Sequence, residues 1–315
     1  MSQKSEQFDF NRLKRSSLES RASLVKVEDF AKLVGPEASA AELFASFPNI
    51  LGGAAFRSLV SAIAGARRSN RSVILALGAH VIKCGLGPLV IDLMKRGIVT
   101  GVAMNGAGPV HDFEVACAGV TSEDVSASLA SGAFGVTRET GQFYSRAAAR
   151  AVSEQIGLGA ALGAELHSMN PRHENLSVLA AASRLSMPLT VHVAIGTDVA
   201  HLAPEMDGAA LGEATYRDFK ILCSEVENLA GGVFVNLGSA VILPEVFLKA
   251  VSAACNVGAD LSTMTTANLD MIQHYRPKVN VVERPPGSGI ALTGQHEILL
   301  PLLRLAVLVE LARKE

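Results

Sequence analysis

Tryptophan is absent from this chain, and aromatic residues make up only 5 % of its 315 positions. A core without large rings has to close on small aliphatic side chains. Apolar residues reach 49 %, with alanine and glycine frequent, as in a parallel sheet whose helices pack close. Cysteine is scarce: Cys84, Cys117, Cys223 and Cys255 stand far apart, with no CxxC pair and no His/Cys cluster of zinc spacing. That pattern excludes a disulfide scaffold, fits a reducing compartment and carries no metal signature. No basic run exists to neutralise a row of phosphates, and the formal net charge is −2, so nucleic acid is not an expected partner. No uninterrupted apolar run approaches the roughly 20 residues of a membrane span, and the first 23 residues are polar and charged rather than an apolar leader. The expectation is a cytoplasmic protein with no membrane association.

The informative stretch is 72–124. An apolar, β-branched run over 72–77 ends in Gly78, a helix-period segment follows over 87–95, and a second apolar run over 98–104 ends in Asn105-Gly106-Ala107-Gly108. This predicts a βαβ unit, whose two strand ends fall on the same edge of a parallel sheet, where α/β proteins bind ligands. Polar residues follow both ends: His80 and Lys83 after the first, His111, Asp112 and Glu114 after the second.

Further strands are expected over 189–194, 232–237, 261–265 and 279–282, separated by helices over 216–229, 244–256 and 297–314. Helices with a loop near 137–142 are expected over 122–166, and 196–218 reads as an irregular loop. The pattern predicts a Rossmann-like, doubly wound, mostly parallel sheet of six or seven strands with helices on both faces. Residues 1–45 read as an arm and a helix, and 46–315 as a single α/β domain.

Three strands are expected to end in small residues, NGAG, IGTD and LGSA, where backbone amides can approach phosphates at a helix N-terminus. The first lacks GxGxxG spacing and is equally a tight βα turn. Asp112 is either a ribose acceptor or a first-turn dipole partner, and His111 and His80 compete as the proton-moving group. Carboxylates of the 196–218 loop, among them Asp198, Asp207 and Glu213, suit a cationic amine or a solvated surface. His201 with Asp198 and Asp207 has no metal-specific spacing, and no metal is expected. Lys278 is a candidate imine-forming lysine or an exposed strand-edge residue, while Arg276, Arg284 and Asn280 offer an anion clamp.

The segments GAHVIKCG, NGAGPVHDFE and TSEDV, followed by GGVFVNLGSAVILPEVF, a TTAN turn and LLPLL, together resemble the deoxyhypusine synthase family from about residue 72 onward. The resemblance implies an NAD-dependent enzyme that oxidises a polyamine, carries the alkylamine group on a lysine imine and delivers it to an acceptor amine. It also implies a homotetramer whose sites lie between subunits, with an N-terminal segment over a neighbour's site. It places Asn105, Gly106, Ala107, Gly108, Asp112, Gly238, Ser239, Ala240, Thr266 and Ala267 against NAD, with Asp198 and Asp207 competing for one acidic position. His111 stands where the family has Glu. Glu245 or Pro244 stands where it has a substrate His, and Lys278 is the nearest counterpart of its lysine. Asp207, Glu213 and Glu245 are thus the substrate-side candidates, and Lys278, His111 and His80 the catalytic ones. The alternatives are an NAD-dependent dehydrogenase or cyclodeaminase on the same fold without a covalent lysine, and a nucleotide-binding homologue without activity.

Overall fold

Alternate residues of the first strand, β1 (Val73–Leu77), serve two different cores. Val73, Leu75 and Leu77 join one buried cluster, Ile74 and Ala76 the other, and all five are buried. A strand covered on both faces needs an unbroken apolar run, which this sequence supplies. The computed structural model describes residues 5–313. Residues 1–4 of the expected arm, residue 314 at the end of the last expected helix and residue 315 lie outside that range.

The other strands are β2 (Gly101–Asn105), β3 (Leu189–His192), β4 (Val233–Leu237), β5 (Thr265–Asp270) and β6 (Ser288–Thr293). They form one six-stranded sheet in the order β3-β2-β1-β4-β5-β6, with every pairing parallel. The expected Rossmann-like α/β fold is therefore observed. The chain leaves β1 toward β2 and β3, then crosses back to lay β4 on the other side, which makes the gap between β1 and β4 the topological switch point.

The helices are α1 (Ala40–Ser46), α2 (Leu51–Arg68), α3 (Ala79–Lys83), α4 (Gly87–Lys95), α5 (Ala107–Ala118), α6 (Val125–Ser128) and α7 (Arg138–Ser153). After them come α8 (Leu158–Met169), α9 (Val178–Arg184), α10 (Gly208–Glu227), α11 (Ile242–Asn256), α12 (Tyr275–Pro277) and α13 (His296–Ala312). One cluster joins β1 to α2, α4 and α13 through Leu59, Val90 and Leu303, among others. The other joins it to α10 and α11, where Phe247 stacks on Phe234 of β4 with ring centroids 3.7 Å apart. Among the described residues no helix is long and apolar enough to cross a membrane. Residues 5–39 form no α-helix, only short 3-10 turns, and leave Phe8, Phe10, Leu18, Leu24 and Leu33 exposed.

Several expected elements differ. The second strand starts at Gly101 rather than 98. The strand expected over 261–265 begins only at Thr265, because 261–264 is a turn held by Met264 N donating to the Leu261 carbonyl. The run expected as a strand over 279–282 is a π-helix, Lys278–Glu283, continuous with α12. Its Asn280 side chain reaches Glu245 on α11 and its Val281 enters the core, contacts a strand there would not make. The actual edge strand, β6, is mostly exposed and so carries little apolar signal. No loop occupies 137–142, since α7 begins at Arg138, and the 196–218 loop is shortened by α10, which starts at Gly208.

One buried carboxylate fastens the β3 side of the sheet. Asp218 on α10 accepts from Val191 N of β3 at 2.7 Å and Gly159 N of α8 at 2.8 Å. Burial pushes its pKa up to about 7, against those two hydrogen bonds.

Candidate active site

A cleft of about 240 Å3 opens where β2 and β3 end, lined by Lys83 of α3, His111 and Glu114 of α5, Thr140 of α7, Phe134 and Asp198. Its floor depends on Gly106. That residue caps α5, and its carbonyl accepts from the buried Tyr144 hydroxyl of α7. A Cβ at Gly106 would lie 2.0 Å from Asp198 Oδ2, so only glycine admits the carboxylate here.

Asp198 follows β3 and is 8 % exposed, yet its Oδ2 has no hydrogen-bond partner. Burial pushes the carboxyl up to about 6, opposed by the Thr197 hydroxyl. Thr140 Oγ1, also on the cleft wall, is likewise unpartnered. Nearby, His201 Nδ1 accepts from Gly196 N at 3.1 Å, which in the neutral ring puts the proton on Nε2, 3.9 Å from Asp198 Oδ2 and too far to bond. Burial lowers the His201 pKa, favouring that neutral form. Unsatisfied buried polar atoms are uncommon in native proteins, and a ligand is one of the ordinary ways to satisfy them.

On the facing wall, His111 Nδ1 lies 2.7 Å from Thr121 Oγ1, and the Thr121 hydroxyl donates to Glu114 Oε2. Thr121 thus accepts from Nδ1–H, and the neutral imidazole keeps its lone pair on Nε2. Burial works to raise the Glu114 carboxyl, but bonding from His111 and Thr121 outweighs it and leaves Glu114 below the usual range. The three residues form a relay able to stabilise a proton arriving at His111. Lys83 makes no ion pair among the described residues, so the cleft combines three carboxylates, Glu114, Glu123 and Asp198, with one fixed cation.

Beside the cleft lies the switch point. A Cβ at Gly78 would come within 2.3 Å of the Gly238 carbonyl, so the ends of β1 and β4 meet backbone to backbone. Gly238 has φ +70°, and the ring of His296, first residue of α13, closes over it. His296 is 2 % exposed, its Nε2 bonds the Leu269 carbonyl at 3.1 Å, and its Nδ1 has no partner. The His80 ring lies 5.7 Å away, with His80 Nε2 3.1 Å from Cys84 Sγ. Ser239 Oγ accepts from Leu243 N of α11, and Ala240 completes the turn.

The structure brings together Ala107, His111 and Asp198 at the cleft, with Gly106 beneath Asp198, Asn105 and Gly108 beside them in the same turn, and His80, Gly238, Ser239 and Ala240 at the adjoining switch point. Other expected site residues stand elsewhere. Asp112 is turned away from the sheet edge: its carboxylate accepts from Ser177 Oγ and from Val178 N and Leu179 N at the start of α9, leaving it buried and without room for a ribose. Burial raises its pKa to about 6 despite those bonds. Thr266 and Ala267 sit inside β5, paired with Phe234 and Val235, toward the end opposite the crevice, because the strand starts later than the sequence suggests. Asp207 caps α10 through Ala209 N and Ala210 N, and Glu213 pairs with Arg217 one turn along. Glu245 is held by Lys249, Arg276 and Asn280, so the anion in the expected Arg-Asn clamp is the chain's own carboxylate. Lys278 is exposed and pairs with Glu283 at 3.6 Å. Thr121, Thr140, Tyr144 and His296 were not anticipated, since each reaches the site from an element with ordinary helix or loop spacing.

The arrangement defines a class: a doubly wound α/β protein with a polar cleft beside its switch point. Small residues at the start of α5 and the nearby Lys83 suit phosphates at a helix N-terminus, and the unpartnered Asp198 and Thr140 oxygens suit ligand N–H or O–H groups. No protein-family model and no curated protein matches the chain. Among solved structures it is similar to a provisionally assigned LOR/SDH protein from Methanococcus maripaludis S2, with TM-score 0.53 and 15 % identity, covering 83 % of this chain and 71 % of that one. It is similar also to AgrE in its ternary complex with ornithine and NAD+, with TM-score 0.53, 14 % identity and coverage of 83 % and 34 %. A provisionally assigned deoxyhypusine synthase from Entamoeba histolytica gives TM-score 0.51, 9 % identity and coverage of 88 % and 96 %. The chain spans about a third of the length of AgrE and of ArgZ, an arginine dihydrolase from cyanobacteria. At these identities what is shared is the fold.

Proposed function

We propose that this protein is an NAD-dependent enzyme that oxidises a small cationic amine held in the cleft between α5, α7 and Asp198. The observation that carries it is Asp198, a buried carboxylate with an unpartnered oxygen, lining a cleft in which carboxylates outnumber fixed cations. An ammonium group would satisfy Asp198 Oδ2 and keep its carboxylate ionised. Backbone amides at Ala107 and Gly108, with Lys83, would hold the cofactor's phosphates, and Asn105, Gly238, Ser239 and Ala240 would border it. Bound NAD+ supplies a hydride acceptor. His111 takes the proton that the substrate nitrogen must lose, with Thr121 and Glu114 stabilising the imidazolium that forms. The AgrE complex with ornithine and NAD+ supports this choice, because a protein that shares this fold over about a third of its length binds a cationic amine together with NAD+.

The dehydrogenase or deaminase form of this reaction is favoured over group transfer, because Lys278 is exposed and bound to Glu283 rather than lining the cleft. Assembly into a homotetramer is part of the proposal: the resemblance to the deoxyhypusine synthase family implies it, and the exposed apolar side chains of residues 5–39 offer surface for a neighbouring subunit. Light scattering at micromolar concentration tests it, and a monomer would refute it. The activity is tested by thermal shift with NAD+ and by reduced-nicotinamide absorbance over a panel of amino acids, diamines and polyamines. Saturating cofactor at about 100 times its Kd should stabilise the fold by about 2.7 kcal/mol. Absence of any shift with folded protein would overturn the cofactor assignment, and a shift without turnover of any amine would overturn the substrate class.

A further inference from the structure

We propose that His80, Cys84 and Glu297 form a zinc-binding site with an open fourth position at the rim of the switch point. Nε2 or Nδ1 of His80, Sγ of Cys84 and a carboxylate oxygen of Glu297 all lie within 4.8 Å of one another. Two of the three come from one turn at the end of β1, the third from the first turn of α13, so the cluster forms only when the chain is folded.

The donor set is chemically specific. Thiolate, imidazole and carboxylate together suit a borderline-soft dication, and three protein ligands with a vacant position are the pattern of open zinc sites rather than closed structural ones. Zinc to sulfur at about 2.3 Å and to nitrogen at about 2.0 Å puts tetrahedral ligand atoms about 3.5 Å apart. His80 Nε2 and Cys84 Sγ stand at 3.1 Å, so small side-chain rotations suffice. Burial pushes the Cys84 thiol up and Glu297 pushes it further, while Lys83 opposes. A dication between them reverses that balance: Cys84 binds as thiolate and its proton goes to solvent.

A second observation stands beside the cluster. His296 precedes Glu297, its ring lies against that of His80, and its buried Nδ1 accepts from nothing among the described residues. Since Nε2 already donates to the Leu269 carbonyl, Nδ1 carries a lone pair. A water on the open zinc position is a donor of the kind that lone pair lacks.

The test uses the full chain, stripped with a chelator and titrated with Zn2+ against a chromophoric competitor, and separately with Co2+ to read the thiolate charge-transfer band. One equivalent per chain with a thiolate band is expected. Cys84→Ala should abolish the band and weaken Zn2+ binding at least tenfold, while Cys117→Ala should leave both unchanged. Glu297→Gln, at an exposed position, should also weaken binding at least tenfold and covers the case in which Cys84→Ala fails to fold. Substoichiometric binding, or binding indifferent to Cys84→Ala and Glu297→Gln, would overturn the site. NAD+ binding and amine turnover are read separately, so this site and the proposed activity fail independently.

Discussion

Asp198 Oδ2 occupies the space where a side chain on Gly106 would begin, 2.0 Å from the position of its Cβ. The loop after β3 therefore reaches the turn after β2 with no atom to spare, and the cleft floor is set by two residues far apart in the chain. Gly106→Ala should expel the carboxylate. The expected result is loss of amine binding with destabilisation of about 1–3 kcal/mol, the range for overpacking a well-filled site, measured by calorimetry and denaturant melts. Retained amine affinity in a stable Gly106→Ala protein would contradict this placement.

Asp198→Asn tests charge separately from shape. A hydrogen bond to a charged partner contributes about 1.5–3 kcal/mol, so affinity for the cationic substrate should fall by about 10- to 150-fold while NAD+ affinity changes little. Equal losses for both ligands would move Asp198 from the amine to the cofactor.

Lys278→Ala should leave turnover within about twofold of the parent, because the side chain is exposed and its ion pair with Glu283 is of the surface kind that contributes little. Borohydride treatment during turnover should leave Lys278 unmodified by mass spectrometry. A trapped adduct there would restore the group-transfer mechanism.

Asp218, Asp112 and Asp198 are all raised, to about 7, 6 and 6. The native state then binds more protons than the unfolded one between the ordinary carboxylate value of about 3.9 and these values. Their contribution to stability is fullest below about pH 4 and is lost as pH rises toward 7, by at most about 1.4 kcal/mol per pH unit for each group. Carboxylates such as Glu114 and Asp92, which are lowered, act in the opposite sense, so the readout is a difference. Asp218→Asn should show a flatter pH dependence of unfolding free energy than the parent between about pH 5 and 7, with the gap closing as pH falls. Parallel curves would refute the Asp218 assignment.

Central strands were legible because burial on both faces writes itself into the sequence: VILAL is a continuous apolar run, and VFVNL is one interrupted only by Asn236. The same rule failed at 279–282, where Val279, Val281 and Val282 mimic a strand but Asn280 is drawn to Glu245, and at β6, whose edge position requires little apolarity. Misplacing β5 by a few residues carried Thr266 and Ala267 to the wrong end of the sheet. At the site, glycines after β2 and β4 were readable as backbone requirements, whereas Asp112 was misread because its partners, Ser177 to Leu179, belong to a helix no local pattern connects to it. The His111–Thr121–Glu114 relay spans one helix and the loop after it, and only the fold orients its atoms.

The strand order has a consequence for how the chain is made. A ribosome delivers β1, β2 and β3 first, and these can pair as they emerge, since β2 lies between the other two. The other edge of β1, five apolar residues with unpaired backbone groups, then waits for β4 while some forty further residues are added, a delay of several seconds at about 5–20 residues per second. An uncovered apolar edge is a template for pairing with another chain. The nascent protein is thus most open to misassociation and to chaperone capture in that interval, after the α5 and α7 walls of the cleft have been synthesised and before the switch point exists.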